Sequence, residues 1–197
     1  EEVAAALENQ RICNVPYDSK FKTHAVFDLG WNDQTSIILA QRHLSELRIV
    51  GYIEDSHRTL DWYSAELRNL HYNWGNVFLP HDANSGNIAS GGKSSADILR
   101  GLKWDIRMVP NLPIETGIKQ ARMAFNKVYF DRVKAERLVQ CLKRYKRNIP
   151  VSTGEPAAPV HDEFSHGADA FRYLALVANQ MVNEEWKPIP YSNRGII

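Results

Sequence analysis

Thr23-His24-Ala25-Val26-Phe27-Asp28-Leu29-Gly30 decides how this chain folds. The run is apolar, β-branched or aromatic up to Phe27 and then meets an acid, the pattern of a strand that crosses an interior and surfaces at Asp28. Gly30 follows, a residue that turns sharply without a Cβ clash. Two later stretches repeat the theme. Val77-Phe78-Leu79-Pro80-His81-Asp82-Ala83 also runs apolar into an aspartate, and His166-Gly167-Ala168-Asp169-Ala170-Phe171-Arg172-Tyr173 opens an apolar helix with one. Together they predict that Asp28, Asp82 and Asp169 converge on divalent metal.

Outward from the first strand, the sequence predicts strands over 24–29, 35–40 and 47–53, joined by short polar connections that favour an antiparallel meander. The period then changes. Thr59 caps a helix with Trp62, Tyr63, Leu67 and Leu70 at helical spacing. A strand over 76–79, a helix over 96–102 capped by Ser94 or Ser95, and a strand over 105–109 follow. Pro113 opens a helix over 114–125. A basic amphipathic helix covers 131–147, a loop 148–159 and a final helix 165–182. Three antiparallel strands followed by alternating helix and strand predict an α/β fold, a mixed sheet with helices on both faces. Ligands gather at strand ends in such sheets, where Asp28 and Asp82 lie. Residues 1–20 read as a lead-in from a preceding linker, 21–183 as the main domain and 184–197 as a tail.

The length of 197 residues fits one domain with a sizeable core. Fractions of 44% hydrophobic and 24% charged residues are those of an ordinary globular protein. No apolar run reaches the roughly 18–20 residues that span a bilayer, so no membrane partner is expected. The start, Glu1-Glu2-Val3-Ala4-Ala5-Ala6-Leu7, is acidic and does not read as a signal peptide; lacking Met, it reads as cut from something longer. Cys13 and Cys141 have no metal-type spacing and suggest a reducing compartment. A net charge of +1 does not announce a nucleic-acid binder. Yet Lys127, Arg132, Lys134, Arg137, Lys143, Arg144, Lys146 and Arg147 face only Asp131 and Glu136 over 127–147, an asymmetry that suits a polyanion as readily as a solvated helix face.

Close carboxylates repel: at about 4 Å two unit charges cost on the order of 4 kcal/mol at an effective dielectric of about 20. Such a cluster stays ionised only when cations neutralise it. Hard Mg²⁺ or Mn²⁺ suits carboxylate oxygens, and two such ions activate a water and stabilise the leaving oxygen of a phosphodiester. No nucleophilic side chain is needed, and neither a Gly-x-Ser-x-Gly elbow nor a Cys nucleophile context is visible. Each aspartate also has a bland role, as a turn or first-turn helix residue. Asp162 is a fourth candidate ligand or a cap-region residue, and His166 orients a water or phosphate or simply starts a helix. Asp33 makes a turn, and Trp31 is the tryptophan placed to border a site. Gly86-Asn87-Ile88-Ala89-Ser90-Gly91-Gly92-Lys93-Ser94 looks like a phosphate loop, but Asn87 stands where its first glycine belongs. Lys93 remains a candidate for a DNA phosphate contact. His161 and His166 lack the i, i+4 spacing of a zinc helix.

Val15-Pro16-Tyr17-Asp18, Phe27-Asp28-Leu29-Gly30-Trp31-Asn32-Asp33, Leu79-Pro80-His81-Asp82-Ala83, Gly92-Lys93-Ser94 and the run from Val160 to Tyr173, in that order, resemble the C-terminal nuclease domain of the large terminase subunit of tailed bacteriophages. The resemblance implies a ribonuclease H-like fold and a metal-dependent endonuclease that cuts concatemeric double-stranded viral DNA. It implies two divalent ions, Mg²⁺ or Mn²⁺, on Asp28, Asp82 and Asp169. Lys93, Arg122, Lys127, Lys143, Arg144, Lys146 and Arg147 would contact phosphates. The implied partners are double-stranded DNA, an N-terminal ATPase domain of the same protein, a small terminase subunit and the portal. The implied setting is the host cytoplasm, transiently at the procapsid. The helix-borne carboxylate of cellular ribonucleases H has no obvious counterpart, Glu66 being the one candidate. The rival readings are another ribonuclease H-like nuclease, such as a resolvase, and a non-catalytic DNA- or portal-docking module.

Overall fold

The computed structural model describes residues 1–30, 34–86, 91–149 and 157–183. Its first half holds α1 (Glu2–Glu8), β1 (Ile12–Cys13), β2 (Thr23–Asp28), β3 (Thr35–His43), β4 (Glu46–Asp55) and α2 (Leu60–Asn69). Its second half holds β5 (Trp74–Leu79), α3 (Ser95–Gly101), β6 (Asp105–Met108), α4 (Ile114–Ala124), β7 (Val128–Asp131), α5 (Glu136–Arg144) and α6 (Ser165–Val177). Among the described residues seven strands form one sheet in the order β1-β7-β4-β3-β2-β5-β6. The expected meander is present, with β3 antiparallel to both β2 and β4. Every other pairing is parallel, so β3 alone runs against the rest and the C-terminal ends of the others share one edge.

Alternation along the strands divides the interior. Val26, Ile38, Ala40 and Phe130 pack with Phe171, Leu174 and Val177 of α6 on one face. Ala25, Phe27, Ile37 and Leu39 pack with Tyr63 and Leu67 of α2 and Leu99 of α3 on the other. Burying each large side chain contributes about 1.5–3 kcal/mol. Phe125, Phe130 and Phe171 add ring contacts at 4.9–5.9 Å between centroids. Helices therefore cover both faces.

Three expectations need correcting. Residues 1–20 are part of the domain: Ala6 of α1 is fully buried, and β1 pairs with β7 at the sheet edge. Arg11 ties them in, its guanidinium donating to the carbonyls of Phe125 and Val128. The basic helix over 131–147 is shorter, because Asp131 ends β7 and turns the chain. Its carboxylate accepts the backbone N–H groups of Val15, Val133 and Lys134, which satisfies three donors without a helix. The last helix stops at Val177 and tightens into a 3-10 turn over Ala178–Gln180. The tail 184–197, most of the loop 148–159, and Trp31 and Asp33 lie outside the described residues.

His24 shows how tightly β2 and β5 approach. It is fully buried, and its Nδ1 accepts the N–H of Asn76 at 3.1 Å. A Cβ on Gly75 would stand 2.6 Å from its ring, so only glycine fits there. Burial holds its pKa down at about 4, against an ordinary 6.5. The unfolded chain therefore binds the extra proton in that interval, and stability rises with pH from about 4 to 6.5. The size is on the order of 3 kcal/mol. Denaturant melts across this interval should show the rise in the native chain and a much flatter profile in His24→Gln; equal slopes would clear His24 of the effect.

Candidate metal centre

The sheet places Asp28 on the α6 face, because it alternates with Val26. Ser36 of β3 stands opposite Asp28, and Glu54 of β4 opposite Ser36, so all three share the row at the strand-end edge. The first turn of α6 lies close upon this row. A Cβ on Gly167 would come within 2.8 Å of Cys141 and of the Tyr52 hydroxyl, so glycine permits the approach. His166 and Asp169, on either side of Gly167, are thereby carried toward the end of β2. His166 Nδ1 lies 3.0 Å from Asp28 Oδ2, with the side chains only 12% and 13% exposed. Asp169 is held by its own helix: Arg172 donates to its Oδ1 from Nε at 3.0 Å, with Nη2 also 3.0 Å from that oxygen in the ion pair.

Electrostatics make this pair of carboxylates a cation-seeking one. Burial pushes the pKa of Asp28 up; the His166 hydrogen bond pulls it back, and the charge of Asp169 raises it further. Tyr145 is pushed up to about 12, by burial first and by Asp169 next, which places it beside the same carboxylate. Cys141 is no nucleophile, since burial and Glu54 push its thiol up to about 11.

Asp82 lies on the 3-10 turn His81–Asn84 directly after β5, the parallel neighbour of β2, and is exposed. It shares the edge with Asp28 and Asp169 without closing on them: among the described residues no group of three His, Cys, Asp or Glu side chains stands close enough to hold an ion. Asp162 has a structural occupation. Its Oδ1 accepts the Phe164 N–H at 2.9 Å, and its carbonyl accepts the N–H and hydroxyl of Ser165 at 3.0 and 2.8 Å, which starts α6. His161 packs edge-on against His166 at 5.0 Å. The donors present fit a hard divalent cation, since they are carboxylate oxygens with an imidazole beside them and no thiolate.

The basic residues divide. Lys143, Arg144 and Lys146 are exposed around the end of α5, and the Arg144 guanidinium lies 5.0 Å over the ring of Phe164, next to the start of α6. Arg147 is engaged, donating to both carboxylate oxygens of Glu115 at 2.7 Å. Lys127 precedes β7, at the sheet edge opposite Asp28, because β7 and β4 are parallel. Arg122, at the end of α4 just before that turn, pairs with Glu2 at 3.2 Å. These last two are not brought to the centre. Lys93 is exposed ahead of α3, where Ser94 forms a capping box with Asp97 instead of a phosphate loop; 87–90 lie outside the described residues. Glu66 is exposed on α2, which packs on the face opposite Asp28.

Sequence reasoning missed Glu54. It is 10% exposed, accepts Arg137 Nε at 2.6 Å and the Tyr52 hydroxyl at 2.9 Å, and so anchors α5 to the sheet edge. A bulge conceals it. Gly51 pairs with Leu39 and Ile49 with Ala40, which leaves Val50 unpaired and moves Tyr52 and Glu54 onto the face of Ile49. Simple alternation from Leu47 would have put them on the other.

Neither a protein-family model nor a curated protein matches the chain. Solved structures do. The large terminase of a thermophilic bacteriophage superposes with a TM-score of 0.69 at 15% identity, over 92% of this chain and 45% of that one. The P22 large terminase nuclease domain gives 0.63 at 17% identity, over 88% and 90%. The fold is that of a large terminase nuclease domain. The SPP1 large terminase nuclease domain, solved with bound Mn, agrees with a TM-score of 0.58 at 13% identity over 81% and 87%. The chain thus spans less than half of the thermophilic phage's large terminase and most of the two nuclease domains. The expected mixed sheet with helices on both faces is the terminase nuclease architecture.

Within this fold the raised Asp28 has a measurable consequence. In chelator, the folded chain binds the Asp28 proton more tightly than the unfolded one. Stability is therefore lost as pH rises from the ordinary 3.8 through the raised value. Asp28→Asn should gain on the native chain over that range, and Mn²⁺ should restore the native chain selectively. A pH-independent gap between their melting temperatures would remove Asp28 from the charged pair.

Proposed function

We propose that this chain is the nuclease part of a large terminase, a divalent-metal-dependent endonuclease that cuts concatemeric double-stranded viral DNA during genome packaging. The observation that carries the reading is the half-buried Asp28–Asp169 pair at the strand-end edge of a terminase nuclease fold. The Mn bound by the SPP1 domain supports the metal requirement.

In this reading Asp28 and Asp169 hold the metal from the sheet and from α6, and Asp82 completes the set from the rim. When bound, two Mg²⁺ or Mn²⁺ ions supply an activated water and charge at the leaving 3′ oxygen. His166 fixes the orientation of Asp28 through its 3.0 Å bond. The Glu54–Arg137 pair holds α5, and with it Lys143, Arg144 and Lys146, beside the DNA path. Lys93, exposed ahead of α3, is a further phosphate contact in this reading. Such contacts give affinity with little sequence preference. Target choice then falls to partners: the ATPase half of the full-length protein, a small terminase subunit and the portal, in the host cytoplasm.

Plasmid cleavage with EDTA, Mg²⁺ or Mn²⁺ tests the chemistry. Cutting should need metal and fall by roughly two orders of magnitude or more in Asp28→Asn, Asp82→Asn and Asp169→Asn, while Asp162→Asn keeps most of it. Cutting in EDTA would sink the reading, and DNA binding with no cutting under any metal would favour a docking module. DNA binding separates the basic residues. Lys143→Ala with Lys146→Ala should weaken affinity and shallow the salt dependence by about one unit of slope per lost contact. Lys127→Ala should leave both unchanged; an equal loss would mean that DNA reaches the opposite sheet edge.

A further inference from the structure

Arg172 has an unusual situation for an arginine. Its side chain is 12% exposed, and its stem runs against α4 where Gly117 stands. A Cβ at 117 would lie 2.7 Å from both Cγ and Cδ of Arg172. Glycine inside a helix costs about 0.5–1 kcal/mol relative to alanine, so α4 bears that cost where Arg172 passes. The guanidinium carbon then sits 4.5 Å over the ring of Tyr173. From there Nε donates to Oδ1 of Asp169 at 3.0 Å, and Nη2 stands 3.0 Å from the same oxygen as the other arm of the ion pair. Among the described residues no hydrogen bond ends on Oδ2. An exposed i, i+3 pair would have little consequence. This one is enclosed, and both of the guanidinium's near contacts with the carboxylate fall on one oxygen.

We infer that Arg172, seated against Gly117, is a positioning residue for the metal centre: it pins Oδ1 of Asp169 and leaves Oδ2 as the ligand oxygen. The inference rests on the reading of Asp169 as a ligand. A carboxylate on a half-exposed helix face rotates freely unless something holds it, and a partner that orients a ligand typically matters 10–100-fold in metal affinity, as an order of magnitude. The planar guanidinium fork does this, whereas a lysine ammonium offers only a point charge.

The test is calorimetric titration of Mn²⁺ into the metal-free full chain, with plasmid cleavage beside it. Arg172→Met should bind Mn²⁺ about 10–100-fold more weakly. Arg172→Lys should not rescue it, because the fork and not the charge is needed. Gly117→Ala keeps every charge and displaces only the arginine stem, and should weaken Mn²⁺ binding in the same direction. Circular dichroism and thermal melts in chelator establish that each variant is folded. Unchanged or tighter Mn²⁺ binding by folded Arg172→Met, or full rescue by lysine, overturns the inference; if Arg172→Met does not fold, unchanged binding by Gly117→Ala does so. A native chain that binds no Mn²⁺, or Asp28→Asn binding it as tightly as the native chain, overturns the site reading itself.

Discussion

The repulsion between Asp28 and Asp169 is the constraint on which the rest of this domain depends. Two acids are carried together, one from the end of a strand and one from the first turns of a helix, in a place only partly open to water. Nothing in the hydrophobic core requires this, and Coulomb's law opposes it. The surrounding structure answers with local partners, the His166 imidazole at Asp28 and the Arg172 guanidinium at Asp169. It also answers with rigidity, since Gly167 lets α6 lie so close to Tyr52 and Cys141 that the helix start has little room to retreat. Rigid supports that hold like charges together are the general means by which a protein makes a site that favours an added cation.

The sheet supplies the platform. Six strands run one way and β3 the other, so the ends of β2, β4 and β5 open on a common edge, and the carboxylates of Asp28 and Glu54 and the Asp82 turn all arrive there. The two packed faces have separate duties. The α2 and α3 side is a plain apolar layer. The α6 side is apolar in depth, through Phe171 and Leu174, and turns polar at the rim, through His166 and Asp169. One helix thus contributes both to the core and to the site, so its placement is fixed by hydrophobic burial far from the charges it carries.

The parts of this fold legible in the sequence were those with a strong local period. β2, β3 and β4 announced themselves by apolar runs broken by short polar turns, and α6 by Phe171, Leu174 and Val177 at helical spacing. β1 and β7 were hidden because two and four residues are too few to show a period, and because Asp131 satisfies backbone donors from a position that reads as a helix start. Asp28 and Asp169 were legible because each interrupts an apolar pattern with an acid. Arg172 and Gly117 were not, since their relation spans two helices far apart in sequence. Charge counting could not say that Lys127 and Arg122 lie away from the Asp28 end of the sheet, because composition does not tell which end of a strand a residue occupies.

The bulge at Val50 makes the site-facing end of β4 a matter of counting. Leu47 and Ile49 are anchored in the α6-side core below it, while Tyr52 and Glu54 reach the same face above it only because one residue is left out of the pairing. The two ends of this strand are therefore geared separately. Loss or gain of a single residue between them would rotate the upper end by half a turn while the lower end stayed in register. The arm of α5 would then come loose from a sheet that was otherwise whole. The length of β4 is thus constrained apart from its side chains, and a chain that keeps this anchor with the same pairing must keep the extra residue as well.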